Sequence, residues 1–154
     1  MSLQNLPRKN PESPLASMAG HHVALRVPDY EAEKRWFVEK LDFRVVHEWP
    51  YADQRLAYVA PPNDDSFYFE ILGDGQPPPI AKATYSDLSD SLRYAGYHHA
   101  CLQVDDVDAT VAELRRRGVT IVTEPFDLPV INRRLAFFFA DPYGNLFELA
   151  EVVS

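Results

Sequence analysis

HHVALRVPD (His21–Asp29) and HHACLQVDD (His98–Asp106) are one short pattern written twice, 77 residues apart. Each copy is followed at nearly equal distance by an acid inside a hydrophobic, strand-like run. Glu70 in FYFEIL stands 48 residues after His22, and Glu148 in NLFELA stands 49 after His99. The period is longer than the roughly 20 to 50 residues of solenoid units and occurs only twice, so it marks a duplicated half-domain. A half-domain of this size has too little core to stand alone, and pairing the copies buries the faces each would expose.

Working outward, the alternation in residues 22–27 puts Val23, Leu25 and Val27 on one face of a strand and His22 on the other. Pro28 and Asp29 then open a helix, YEAEKRWFVEKL, with Ala32, Trp36, Phe37 and the stem of Lys40 as its inward stripe. Further strands are predicted near Phe43–Glu48, Arg55–Ala60 and Phe67–Leu72, which makes the unit β-α-β-β-β. The second copy repeats that order: a strand His99–Val104, a helix Val107–Arg117 stopped by Gly118, strands Thr120–Glu124 and Arg134–Ala140, a DPYGN turn, and a strand Leu146–Val152. The expected fold class is α+β: two βαβββ modules from an internal duplication, forming a curled mixed β-sheet cavity with helices outside.

Residues 1–19, with three prolines and few large apolar groups, read as a disordered or expression-derived tail. Residues 20–154 read as a single domain: module one 20–73, a linker 74–97, module two 98–154. The linker opens with the breaker GDGQPPP and carries SDLSDSLRYA as a short capped helix. Connections longer than about 12 to 15 residues often serve a site, so this one is expected to border it.

Composition narrows the partners. A formal charge of −8 opposes nucleic-acid and anionic-membrane binding, both of which draw on clustered Lys and Arg, and leaves a small-molecule partner. The one local basic run, Arg115–Arg117, falls at a helix end, where cations complement the dipole. Cys101 is the sole cysteine, so no intrachain disulfide forms, and a cytoplasmic setting is expected. No run approaches the ~18 apolar residues that span a bilayer.

The chemistry lies in parity. His22 opposes Val23 and Leu25, Glu70 opposes Phe69 and Ile71, His99 opposes Leu102 and Val104, and Glu148 opposes Phe147 and Leu149. With helices on the apolar faces, all four polar groups point to the other side of the sheets. An isolated carboxylate there costs several kcal/mol unless paired, solvated or bound to a cation. Two carboxylates beside two imidazoles therefore point to one divalent metal ion per site, with Ni, Co, Zn, Mn or Fe suiting the donors. His21, His47 and His98 read as strand-edge residues. Arg26, Tyr68, Leu72, Cys101, Gln103 and Leu146 share the ligands' parities, and Arg133 and Arg134 precede a cavity strand. These eight are the candidate substrate-binding residues, the three arginines as clamps for a carboxylate or phosphate.

HHVALRV, FYFEIL, YHHACLQV and DPYGNLFELAE resemble the four metal-ligand strands of the vicinal oxygen chelate superfamily, across residues 21–152. That superfamily includes glyoxalase I, bleomycin resistance proteins, methylmalonyl-CoA epimerase and extradiol dioxygenases. The resemblance implies a pair of βαβββ modules, with His22, Glu70, His99 and Glu148 in the ligand places. It is closest to members similar to glyoxalase I, which use a His/Glu/His/Glu set. Extradiol dioxygenases use two His and one Glu around iron, so Glu70 separates the branches. The expectation is a metal-dependent lyase or isomerase of the lactoylglutathione lyase class. It acts on a small oxygenated substrate through a metal-stabilised enediolate, with Glu148 or Glu70 as the catalytic proton shuttle. No convincing set of glutathione-anchoring residues is present. The alternatives are a non-catalytic antibiotic-resistance or small-molecule-binding protein and an Fe(II) extradiol-type dioxygenase. Members often dimerise, so a homodimer is expected, with the cavity formed within one chain or between two.

Overall fold

The computed structural model describes residues 7–77, 85–93, 95–139 and 143–152. In module one, β1 (His22–Arg26) leads through α1 (Tyr30–Leu41) to β2 (Arg44–Tyr51), β3 (Gln54–Ala60) and β4 (Tyr68–Asp74). A short helix α2 (Leu88–Ser91) follows in the linker. Module two is β5 (His99–Gln103), α3 (Val107–Arg116), β6 (Phe126–Leu128), β7 (Arg133–Phe139) and β8 (Leu146–Val152). The sheets have matching orders, β1-β4-β3-β2 and β5-β8-β7-β6, and neither closes into a barrel. The first strand of each module runs parallel to the last, and the remaining pairs are antiparallel.

The repeat builds the helices as well as the strands. Asp29 and Asp106, one period apart, both cap: the Asp29 carboxylate accepts from Ala32 N at 2.9 Å, and that of Asp106 from Ala109 N at 2.8 Å. Such a cap contributes about 1 kcal/mol and fixes where the chain turns from strand to helix. Asp42 ends α1 in a left-handed conformation, and Gly118 at φ +77° lets the chain leave α3. In the linker, Asp87 caps α2 by accepting from Asp90 N at 2.9 Å.

Two expectations are corrected. The strand over Thr120–Glu124 is not one: Ile121 makes only an isolated bridge to Phe138, and β6 lies further on, at Phe126–Leu128. The physical reason is local. Val122 N and Thr123 N both donate to Phe137 O, and the Thr123 hydroxyl accepts from Phe137 N at 2.9 Å, so a folded-over loop takes up the groups a ladder would use. Pro125 then separates that loop from β6. In α1 the buried stripe is Tyr30, Glu33 and Phe37, whereas Ala32 and Trp36 are only half-buried. Asp141 and Pro142 of the expected DPYGN turn lie outside the described residues; Gly144 has φ +78°.

Both modules bury their apolar sheet faces in one core. Leu25, Val27, Phe69 and Ile71 from module one join Ala100, Phe138, Phe147 and Leu149 from module two, with Phe37, Val111 and Leu114 from the helices. Phe69 and Phe147 meet at 5.0 Å between ring centroids, and Phe37 lies 6.1 Å from Phe147. Lys40 and Arg117, again one period apart, mark the symmetry of this docking. Lys40 Nζ donates to Arg117 O, and Arg117 Nη1 donates to Lys40 O at 3.2 Å. Arg117 also pairs with Asp42 at 2.8 Å and Glu113 at 2.7 Å. The basic run at 115–117 therefore does more than complement the α3 dipole, since its last member ties the modules together. Each buried phenylalanine contributes about 1.5–3 kcal/mol and an exposed ion pair about 1 kcal/mol at most, so the aromatic core dominates the docking.

Candidate metal centre

Strand pairing places the two His–Glu couples equivalently. Glu70 stands opposite Ala24 on β1 and Glu148 opposite Cys101 on β5, each two residues beyond its histidine. His22 Nε2 lies 3.3 Å from Glu70 Oε2, and His99 Nε2 lies 3.1 Å from Glu148 Oε2. Side-chain exposure matches too, at 33% and 14% in the first couple and 31% and 14% in the second. The one-residue difference in spacing is thus absorbed in the connections and does not reach the site.

Both couples sit on sheet faces turned away from the shared core. Tyr58 lies across from Glu70, and Phe137 across from Glu148. Leu56, Leu135, Phe137, Leu146 and Ala150 are buried yet stand outside the central core cluster, as expected of residues on these second faces. Among the described residues, no group of three or more His, Cys, Asp or Glu side chains is close enough to hold one ion. His22 with Glu70 and His99 with Glu148 are therefore two separate half-sites of the expected four-donor set, and the four side chains do not come together around one ion position within the chain.

The imidazole nitrogens are sorted by their neighbours. His21 Nδ1 lies 2.8 Å from His22 Nδ1, and His98 Nδ1 lies 2.7 Å from His99 Nδ1. Each paired histidine thus engages a neighbour through Nδ1 and turns Nε2 toward its carboxylate. Burial works to raise the Glu148 carboxyl, but its close contacts with the His99 and Cys101 side chains outweigh it and hold the group below the ordinary glutamate range. Desolvation first and the neighbouring His99 second push His98 below the usual histidine value. Desolvation first and Glu148 second push the Cys101 thiol up to about 12, so it is a protonated donor and a poor nucleophile, although the residue as a whole is exposed on its edge strand. A divalent cation fits these donors: each half-site offers one imidazole nitrogen and one carboxylate at a separation a shared ion would bridge, and sulfur is held back by its proton.

The other sequence-selected residues scatter. The Arg26 guanidinium donates to the carbonyls of Val27 and Leu72, both at 2.7 Å, and to that of Asp74, closing the end of β1. Leu72 is half-buried and supplies one of those carbonyls. Arg134 is committed to Asp108 and Asp127 at 2.6 and 2.8 Å. Arg133 reaches the Asn132 carbonyl at 3.2 Å and stands close enough to Cys101 to act on its thiol electrostatically. Tyr68 donates to Asp65 O at 2.8 Å, with its ring 5.3 Å from that of His21. Leu146 is buried opposite His99. Cys101 and Gln103 border a groove of about 620 Å³ with Lys40, Phe43, Phe67 and Glu113; that groove includes none of the four His and Glu residues.

Sequence reasoning missed an aromatic surface beside the first half-site. His47 stacks on Trp49 at 5.2 Å, Trp49 meets Tyr58 at 4.8 Å, and Tyr58 lies 5.3 Å from His22 and 5.6 Å from Tyr68. His47 is thus part of this wall as well as an edge-strand residue. The same parity rule extended from β4 to β3 finds Tyr58, but the irregularity between Val45 and His47 in β2 breaks the alternation that would carry it to His47 and Trp49. Beside the second half-site, Phe137 lies edge-on to His99 at 5.2 Å and Phe126 stacks on Phe137.

A family model described as the Glyoxalase/Bleomycin resistance protein/Dioxygenase superfamily matches residues 20–149, and the chain belongs to that superfamily. It is 32% identical over 133 residues to the uncharacterised protein YwkD of Bacillus subtilis, covering 85% of this chain and 94% of that protein. It is 26% identical to bovine mitochondrial methylmalonyl-CoA epimerase, over 85% and 73% of the two chains. Among solved structures it resembles TnmS3, an antibiotic binding protein from Streptomyces sp. CB03234, with a TM-score of 0.56 and 30% identity over 87% and 98% of the two chains. The superfamily thus holds both an epimerase and an antibiotic binder. Among the described residues no helix is long and apolar enough to cross a membrane.

Proposed function

We propose that this chain is a divalent-metal-dependent lyase or isomerase acting on a small oxygenated substrate through an enediolate, in a site completed by two copies of the chain. The observation that carries the reading is the pair of equivalently placed His–Glu half-sites facing away from a common core. Two-fold pairing would set His22 and Glu70 of one copy against His99 and Glu148 of the other, giving two equivalent four-donor sites per dimer. β1 and β5 stand at the edges of their sheets, where strands of a second copy can approach.

When bound, such a cation supplies Lewis acidity toward substrate oxygens. The chain supplies the rest. A carboxylate of the site, Glu148 or Glu70, takes the proton from carbon beside the substrate carbonyl and returns it to the neighbouring carbon, so no net proton is consumed. Cys101 donates to Glu148 and holds that carboxylate in place. Phe126 and Phe137 line the second half-site with apolar surface that excludes water from the transfer.

The His47–Trp49–Tyr58–Tyr68 surface favours a second reading, in which a flat ligand is sequestered without turnover. One experiment separates the two. Protein with its metal content fixed by elemental analysis is incubated in D2O with a panel of α-hydroxy carbonyls and acyl thioesters, and deuterium entry at carbon is followed by NMR. Exchange that disappears in Glu148→Gln supports the lyase or isomerase. Tight binding without exchange anywhere in the panel supports sequestration. Oxygen uptake with catechols by the Fe(II)-loaded protein would instead favour ring cleavage.

A further inference from the structure

Ser91 is fully buried and polar, and it belongs to α2, the short linker helix, rather than to either module. Its hydroxyl donates to Leu88 O at 2.7 Å, which uses its one proton. The 2.9 Å contact between Ser91 Oγ and His98 Nε2 must then be a donation from His98 Nε2–H. A neutral His98 protonated there has a bare Nδ1. The 2.7 Å contact from that atom to His99 Nδ1 therefore requires the proton to be on His99. His99 Nε2 is then left without a proton, 3.1 Å from Glu148 Oε2, so two acceptors converge where a bound cation satisfies both.

From this chain of contacts we propose that Ser91 and His98 are positioning residues, which fix His99 in its Nδ1–H form and present its Nε2 lone pair, beside Glu148, to the metal. The proposal rests on the metal-centre reading above and extends it to the linker. It also separates the half-sites. His21 contacts His22 through the same Nδ1 atoms, but the position one period before Ser91 is Pro14, which has no hydroxyl to set the far nitrogen.

Two measurements on the full chain test it. Long-range 1H–15N spectra of the metal-free protein at about pH 8, above the ordinary histidine range, should show His99 protonated at Nδ1 in the wild type and losing that preference in Ser91→Ala and His98→Ala. Competition titration with Zn2+ alone should show about 10- to 100-fold weaker binding in those two variants. Ser91→Thr keeps the hydroxyl, and His98→Asn keeps an oxygen where Nδ1 accepted, so both should stay near the wild-type affinity. A wild-type His99 protonated at Nε2 overturns the proposal, as do alanine variants with undiminished affinity, or a loss shared equally by the conservative variants. Should Ser91→Ala fail to fold, the His98 pair and the wild-type spectrum decide. A wild type that binds no Zn2+ defeats the metal-centre reading, while its spectrum still decides the relay.

Discussion

The two half-sites share a geometry and differ in what surrounds it. His22 and Glu70 open onto a wall of His47, Trp49, Tyr58 and Tyr68, whose rings carry polar edges into a half-exposed face. His99 and Glu148 are backed by Phe126 and Phe137, flanked by a protonated Cys101, and anchored through His98 to a buried serine. The two copies keep the same histidine–glutamate contact while their walls diverge. The first half thus presents aromatic surface beside its histidine and acid, whereas the second surrounds them with phenylalanines and a hydrogen-bonded histidine.

The largest expected effect bears on whether the halves act together. His22→Ala and His99→Ala should each abolish metal retention in homogeneous preparations, read by elemental analysis. Refolding the two variants as a mixture should restore roughly a quarter of the sites, because half of the dimers are mixed and each has one intact site. Restoration of none would show that the halves do not meet across copies.

The proton-transfer role comes next. Glu148→Gln should lower kcat by about 10²- to 10⁴-fold with little change in substrate affinity, and the same substitution at Glu70 should do less. Equal effects would make the two acids interchangeable, and an unchanged kcat would remove Glu148 from the mechanism. In the common core, Phe147→Ala should cost about 3–5 kcal/mol in denaturant unfolding, since it opens a cavity where both modules pack. A loss below ~1 kcal/mol would mean that the modules are docked by something other than the aromatic cluster.

A smaller effect sharpens the contrast of walls. Tyr58→Leu should weaken binding of a planar ligand by about two- to twelvefold, the worth of one aromatic pair, and leave metal content unchanged. The smallest concerns the seam between the modules. Arg116 and Arg117 depress the Glu113 carboxyl from 4.5 to about 2, and Arg117 depresses that of Asp42. These groups are more ionised in the folded state, so their contribution is present above pH 4.5 and is lost as pH falls toward about 2. Melting temperature should therefore drop less steeply on acidification in Arg117→Ala than in the wild type. Parallel curves would show that solvent screens these exposed pairs completely.

The sequence by itself determined the two similar modules, the helix start at Asp29, seven of the eight strands, and the recurring distance from each histidine to its acid. Each depends on residues close in the chain or on a period-two alternation that a strand must obey. It misplaced the strand after α3, because the Thr123 side chain competes with the backbone for Phe137, and no local pattern announces that contact. It placed His98 at a strand edge, since Ser91 reaches it only through the folded linker. Above all, alternation says which face of a sheet is apolar but not what that face packs against. Two modules with their polar faces together and two with their apolar faces together obey the same pattern. Tertiary packing chose the second: burying Phe37, Phe69 and Phe147 in one core turned the two His–Glu couples outward.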